Sequence, residues 1–218
     1  MGFWKPAAFR LLALTALARP ASALDWKTTE LTATATPFQI TVDVVFPFAN
    51  SSRTTVNIRN LETSCNCVSA AADKLSYRAG EAGEVRASFA VGDHPGLFER
   101  VITVTTDEPG DPVHLILRVD VPAAATCEPR RLNWSHNGAT IEQSLELTVA
   151  PGLEINFTVL AVTSEDFTAR LETVTAGHYY RLFVKPRATA RPATAAIRLA
   201  GHEKSGHDLV VSAYANVE

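Results

Sequence analysis

Cys65 and Cys67, one residue apart in the stretch SCNC, are the residues whose type and spacing best suit chemistry in a chain with three cysteines. On an extended strand residues i and i+2 share a face, with Cα atoms about 6.6 Å apart, so two thiols would stand side by side. Four readings follow. The pair is a metal clip, since two converging thiolates suit Cu(I) better than tetrahedral zinc. It is a redox centre, if the chain bends at Asn66 and brings the Cα atoms inside the roughly 4.4 to 6.8 Å range of disulfides. It is a local staple, in which Cys127 bridges Cys65 or Cys67 and closes a loop for about 4 kcal/mol. Or the two are small apolar plugs at a strand end. The structural readings carry the greater weight.

Nothing else in the chain completes a metal site. The six histidines, His94, His114, His136, His178, His202 and His207, are scattered singly, without zinc spacing. A hydrolase needs a nucleophile, a base and an orienting acid. The neighbouring His and Asp in GDHPG and GHDLV would point to opposite faces of a strand, so neither is a dyad. Asp107, Glu108 and Asp111 lie in TDEPGDP, which has turn chemistry and not the spacing of a calcium loop. No catalytic residue and no cofactor are therefore expected. Asn-x-Ser/Thr sequons at Asn50, Asn133 and Asn156 read as chance, and Trp134, Tyr179 and Tyr180 as core or edge aromatics.

The elements that must position these residues are strands. Short runs rich in Val, Thr, Ile and Phe alternate inward and outward positions and end at Gly, Pro, Asn or Asp. Ile40, Val42, Val44 and Phe46 form one inward set, Val56, Ile58 and Leu61 another. Val85, Ala87, Phe89 and Val91 follow, then Phe98 with Val101 or Ile102 and Val104, then Val113, Leu115, Leu117, Val119 and Val121. After VPAAATCEPRR the same kind of text resumes, as six more short strands. The expected fold is all-β, two tandem immunoglobulin-like antiparallel sandwiches. NIRNLETSCNCVSA aligns with FTVLAVTSEDFTAR, which sets Cys65 over Glu165 and Cys67 over Phe167. The cysteines are then dispensable to the fold as a type.

The N-terminal 1–23 has the character of a signal peptide: Lys5 and Arg10, an apolar run from Leu11 to Ala18, and Ala21, Ser22, Ala23 for cleavage. That run is shorter than the roughly 18 residues of a membrane span. The expected organisation is signal peptide 1–23, first domain 24–122, linker 123–131 and second sandwich 132–218, with no transmembrane segment after cleavage. A net charge of −3 with interleaved signs recruits no nucleic acid.

NLETSCNCV, YRAGEAGEVRASF and GLFERVITVTTDEPGDP, in that order, resemble the bacterial family called domain of unknown function 1573, over residues 38–121. Asn66, Val68 and Ala79 depart from its pattern of Gly, Thr and Pro. The resemblance implies an exported immunoglobulin-like module and no known activity. The expectation is a non-enzymatic structural or protein-interaction module, periplasmic or secreted, whose partner is another envelope or extracellular protein. The alternative is a thiol-based factor that binds soft metal or exchanges electrons through Cys65 and Cys67.

Overall fold

The computed structural model describes residues 23–218; all but Ala23 of the expected signal peptide lies outside the described residues. The carbonyl of Ala23 accepts hydrogen bonds from the backbone N–H and Oγ of Ser51, at 2.9 and 3.1 Å. Among the described residues every regular element is a strand, as the alternation predicts, and no helix is long and apolar enough to cross a membrane.

Nine strands fall within 24–121: β1 Leu24–Trp26, β2 Glu30–Thr34, β3 Thr41–Asn50, β4 Val56–Thr63, β5 Val68–Ala72, β6 Ser76–Tyr77, β7 Ala82–Ala90, β8 Gly96–Thr106 and β9 Val113–Val121. They form two sheets, ordered β1-β3-β7-β5 and β2-β9-β8-β4-β6. Eight more follow: β10 Ala125–Glu128, β11 Arg131–Trp134, β12 Gln143–Val149, β13 Ile155–Val162, β14 Phe167–Thr175, β15 Tyr179–Pro186, β16 Ala193–Glu203 and β17 Asp208–Val217. Their sheets run β10-β12-β15-β14 and β11-β17-β16-β13. Taken position by position, the two strand orders are the same, with β6 as an addition to the first. The halves are copies of one sandwich.

Two compact units are distinguished; the first includes Asp43–Ala87 and Arg100–Ile116, and the second Thr32–Val42, Ser88–Glu99 and Leu117–Glu218. In the second unit one continuous core takes Leu145, Leu147, Tyr180 and Leu182 from one sheet and Ile155, Ile197, Leu199 and Ala215 from the other. This is the signature of a sandwich, since each sheet is apolar on one face and buries it against the other. In the first unit Phe46, Phe48, Val56, Ile58, Val85, Ile102 and Val104 are buried in the same alternating way.

Several expectations need correction. Ile40 precedes β3 and is 82% exposed, so the inward set begins at Val42. On β4 a register shift between Ile58 and Asn60 changes the parity of the strand, which is why Leu61 follows Val56 and Ile58 on the inward side, although it is only half-buried. Of Val101 and Ile102, the buried one is Ile102. The expected linker contains β10, antiparallel to β12 in the register Cys127 to Leu147. Alternation explains it: Ala125 and Cys127 face the core while Thr126 and Glu128 face out. Proline and alanine around a four-residue strand masked its period. Asn50 is fully buried and its amide is committed to the fold, so that sequon is structural.

Candidate functional site

The candidate site is the connection between β4 and β5. β4 ends where Ser64 donates its N–H to the carbonyl of Val101 at 3.0 Å, and Val101 returns its own N–H to Ser64 Oγ at 3.1 Å. This exchange pins the end of β4 against β8. A tight turn then runs from Cys65 to Val68, closed by the Val68 N–H on the Cys65 carbonyl at 3.4 Å, with Thr63 Oγ1 donating to the same carbonyl at 3.1 Å. Val68 is buried at the head of β5 and anchors the exit.

The turn shortens the Cys65–Cys67 Cα distance to 5.2 Å, and the two form a disulfide. The extended geometry assumed from spacing is thus replaced by a bend at Asn66, made without a positive φ. The bridge expected between Cys127 and one of the pair is not present: Cys127 is a free, buried thiol on β10. Its core-facing position on a paired strand accounts for that. Burial pushes the Cys127 thiol up to about 11. The metal reading of Cys65 and Cys67 requires two thiolates, whereas here both sulfurs are joined to each other.

Each sulfur has a donor beside it. The Cys67 N–H points at Cys65 Sγ at 3.2 Å, and Nε of Arg100, on β8, points at Cys67 Sγ at 3.1 Å. Both cysteines are half-buried and Asn66 between them is exposed. Arg100 was not singled out by sequence. Its approach depends on the β4–β8 register, which sets Thr63 opposite Ile102.

The second sandwich holds the same turn without cysteines. Thr163 donates its N–H to Ala196 and Ala196 donates to Thr163 Oγ1, at 3.0 and 2.9 Å, while Phe167 closes on the Ser164 carbonyl at 3.4 Å. The match is therefore one residue shorter than the sequence alignment suggests: Cys65 corresponds to Ser164 and Cys67 to Asp166. The Asp166 N–H points at Ser164 Oγ at 3.2 Å, as the Cys67 N–H points at Cys65 Sγ, and Ser164 Oγ donates to the Asp166 carboxylate at 3.3 Å. A guanidinium is again present, Arg191 Nη2 at 2.7 Å from Asp166 Oδ1. That hydrogen bond, offset by slight desolvation and helped by the Arg191 charge and by Ser164, holds the Asp166 carboxyl below the usual carboxylate range.

Among the described residues no group of three His, Cys, Asp or Glu side chains is placed to hold a metal ion. The GHDLV pair does not act together. Asp208 faces His202 across the β16–β17 hairpin, Oδ1 to Nδ1 2.7 Å, whereas His207 turns toward Glu203 at 3.7 Å. Asp107 is engaged by the backbone N–H and side-chain amide of Asn57, which hold its carboxyl below the ordinary range, and by Arg59 at 3.6 Å. Trp134 is buried with Nε1 on the Ile141 carbonyl at 2.7 Å, and the Tyr180 hydroxyl donates to the Ile155 carbonyl at 2.8 Å, so both are core aromatics.

No curated protein matches the chain in sequence. Among solved structures it is similar to the VesB protease of Vibrio cholerae at TM-score 0.36 and 12% identity, with 45% of this chain and 32% of that one covered. The chain thus spans about a third of that relative's length. A protein of unknown function from Porphyromonas gingivalis W83 is similar at TM-score 0.32 and 15% identity over 88% of this chain and 99% of that one. The ASH/PapD-like domain 7 of human CEP192 is similar at TM-score 0.38 and 12% identity over 53% and 99%. A family model matches from Leu24, earlier than the resemblance read from sequence, and so takes in β1 and β2. Residues 24–121, with the Cys65–Cys67 turn among them, match the model of the family described as "Protein of unknown function (DUF1573)".

Proposed function

We propose that this protein is an exported, non-enzymatic interaction module that recognises an extended segment of another envelope or extracellular protein by adding it as a strand to β5. The observation that carries this reading is the character of β5. It is the end strand of its sheet, and its sequence VSAAA has no charged side chain. Natural sheet edges are usually protected by charges, bulges or covering elements, because unpaired N–H and C=O groups template further pairing. The corresponding edge of the second sandwich is protected in that way: β14 carries Arg170 and Glu172 and has a register shift between Thr173 and Thr175. β5 keeps the edge and lacks the charges.

The Asp73 N–H bonds the Glu84 carbonyl toward β7 at 3.0 Å. Strand alternation then turns the backbone groups of Ala70 and Ala72 away from β7, toward an incoming strand. Main-chain pairing of this kind gives affinity, and small side chains leave room for those of the ligand. A disulfide between two half-buried cysteines supports an oxidising compartment, periplasmic or secreted.

The test is a photo-crosslinking residue placed at Ala72 of the full chain in cells, with one at Thr168 on β14 as the control. An adduct is expected from Ala72 alone and is expected to vanish in Ala70→Pro, which removes an outward N–H and spares the β7 ladder. The same adduct from Thr168, or its survival in Ala70→Pro, would refute strand addition at β5.

A further inference from the structure

The turn at Cys65–Cys67 has three properties beyond those of a staple. The bond closes a loop across one intervening residue, so it restricts the unfolded chain very little compared with bridges that span long loops. Both of its cysteines are half-buried residues, unlike the buried Cys127. And the two sulfurs differ: Cys67 Sγ lies 3.1 Å from the guanidinium Nε of Arg100, while Cys65 Sγ faces a neutral backbone N–H at 3.2 Å.

We propose that Cys65–Cys67 is a directional thiol–disulfide exchange site, attacked at Cys65, whose substrate is a dithiol: a protein or peptide with two reduced cysteines. The thiolate of the substrate attacks Cys65 Sγ, and a mixed disulfide forms there. The Cys65–Cys67 bond breaks, and Cys67 departs with the electron pair as a thiolate against Arg100. The second thiolate of the substrate then attacks its own sulfur in the mixed disulfide and releases Cys65 as a thiolate. Both cysteines take up protons from solvent as the pH requires. The substrate dithiol is oxidised to a disulfide and the Cys65–Cys67 disulfide is reduced, two electrons on each side. Direction follows from the leaving group, since the thiol with the lower pKa departs faster and a guanidinium beside Cys67 stabilises its thiolate.

The second sandwich shows that the reduced state fits the same backbone. There the turn is closed by the same hydrogen bonds with no covalent link, a hydroxyl stands for Cys65, and a carboxylate paired to Arg191 stands for Cys67. An anion in the position of the Cys67 thiolate, faced by an arginine, is already an arrangement this fold holds. Reduction therefore leaves the turn in place. The inference is independent of strand addition at β5, because Ala70→Pro leaves both sulfurs and Arg100 untouched.

The experiment uses the full chain, exposed briefly to 2-mercaptoethanol, quenched with N-ethylmaleimide and mapped by fragmentation mass spectrometry. The expected single-exchange product carries mercaptoethanol on Cys65 and maleimide on Cys67. Arg100→Gln is expected to slow reduction by dithiothreitol about tenfold near neutral pH and to erase the preference for Cys65, as loss of one opposite charge beside a thiolate implies. Arg100→Lys should retain part of both. Mercaptoethanol on Cys67 or spread equally, no reduction of the folded chain at millimolar dithiothreitol, or unchanged rate and selectivity in Arg100→Gln would each overturn the proposal. Should Arg100→Gln fail to fold, the adduct position in the native chain decides alone.

Discussion

Asn50, read from sequence as a chance glycosylation motif, sits fully buried at the end of β3 and uses its whole side chain. Its Nδ2 donates to the carbonyls of Thr54 and Tyr77, each at 2.8 Å, and its Oδ1 accepts from the Ser52 N–H at 2.9 Å and the Ser52 Oγ at 2.7 Å. One amide thus fastens the β3–β4 loop to β6. In Asn50→Ala the Tyr77 carbonyl loses this partner in a buried setting, while the Thr54 and Ser52 groups can turn in part to water. A satisfied hydrogen bond contributes about 1 kcal/mol net and a stranded buried group costs about 1 to 3, so the expected loss is about 3 kcal/mol. With an m-value near 1.5 kcal/mol/M this lowers the urea midpoint by about 2 M. Trp26 reports it by fluorescence, because its ring lies 4.7 Å from that of Phe48, two residues before Asn50.

Asn50→Asp sharpens the test. The carboxylate would face two carbonyl oxygens where the amide offered two N–H groups, so its folded-state pKa lies above the unfolded one. The folded state then binds more protons, and stability falls as pH rises through the carboxylate range. Asn50→Asp should be the worse variant at neutral pH and recover part of the loss near pH 4, while Asn50→Ala should show no such recovery. A midpoint for Asn50→Ala within about 0.3 M of the unaltered chain, equivalent to roughly 0.5 kcal/mol, would refute the reasoning.

Two glycines should be intolerant of a single methyl. A Cβ on Gly83 would lie 2.2 Å from Tyr77 Cε1 and 2.7 Å from Phe48 Cζ, two rings packed edge-on at 4.8 Å, so Gly83→Ala should cost about 3 kcal/mol in chemical denaturation. On Gly201 it would lie 2.5 Å from Phe157 Cε1 and 2.8 Å from the more pliable Leu209 Cδ2, so Gly201→Ala should cost less, about 2 kcal/mol. Cys127, its thiol pushed up to about 11 by burial, should resist iodoacetamide in the folded chain at pH 8 and react at once in denaturant, as timed alkylation and intact-mass measurement would show.

Much of the fold was legible because period-two alternation is a local property. Val85, Ala87 and Phe89 on β7, and Leu115, Leu117 and Val119 on β9, announce their buried faces one residue at a time. Alternation fails where the strand itself breaks period, as at the shift between Ile58 and Asn60 on β4, or where a strand is too short to establish one, as at β10. The family match to 24–121 was legible for a related reason, since SCNC, the turn YRAGEAG and the stretch TTD are each short local runs that follow one another in order along the chain.

The sequence by itself determined an all-β chain of two similar halves and marked Cys65 and Cys67 as the residues to watch. Only the tertiary structure decided what those residues are. A spacing of two is compatible with a strand, which holds the two Cα atoms about 6.6 Å apart on one face, and with a turn, which brings them to 5.2 Å. The choice came from Ser64 and Val101 exchanging hydrogen bonds across two strands far apart in sequence. The same pairing carried Arg100 to Cys67, while the β10–β12 register placed Cys127 in the core of the second sandwich. Such contacts depend on register between strands, and no single stretch of sequence contains both partners.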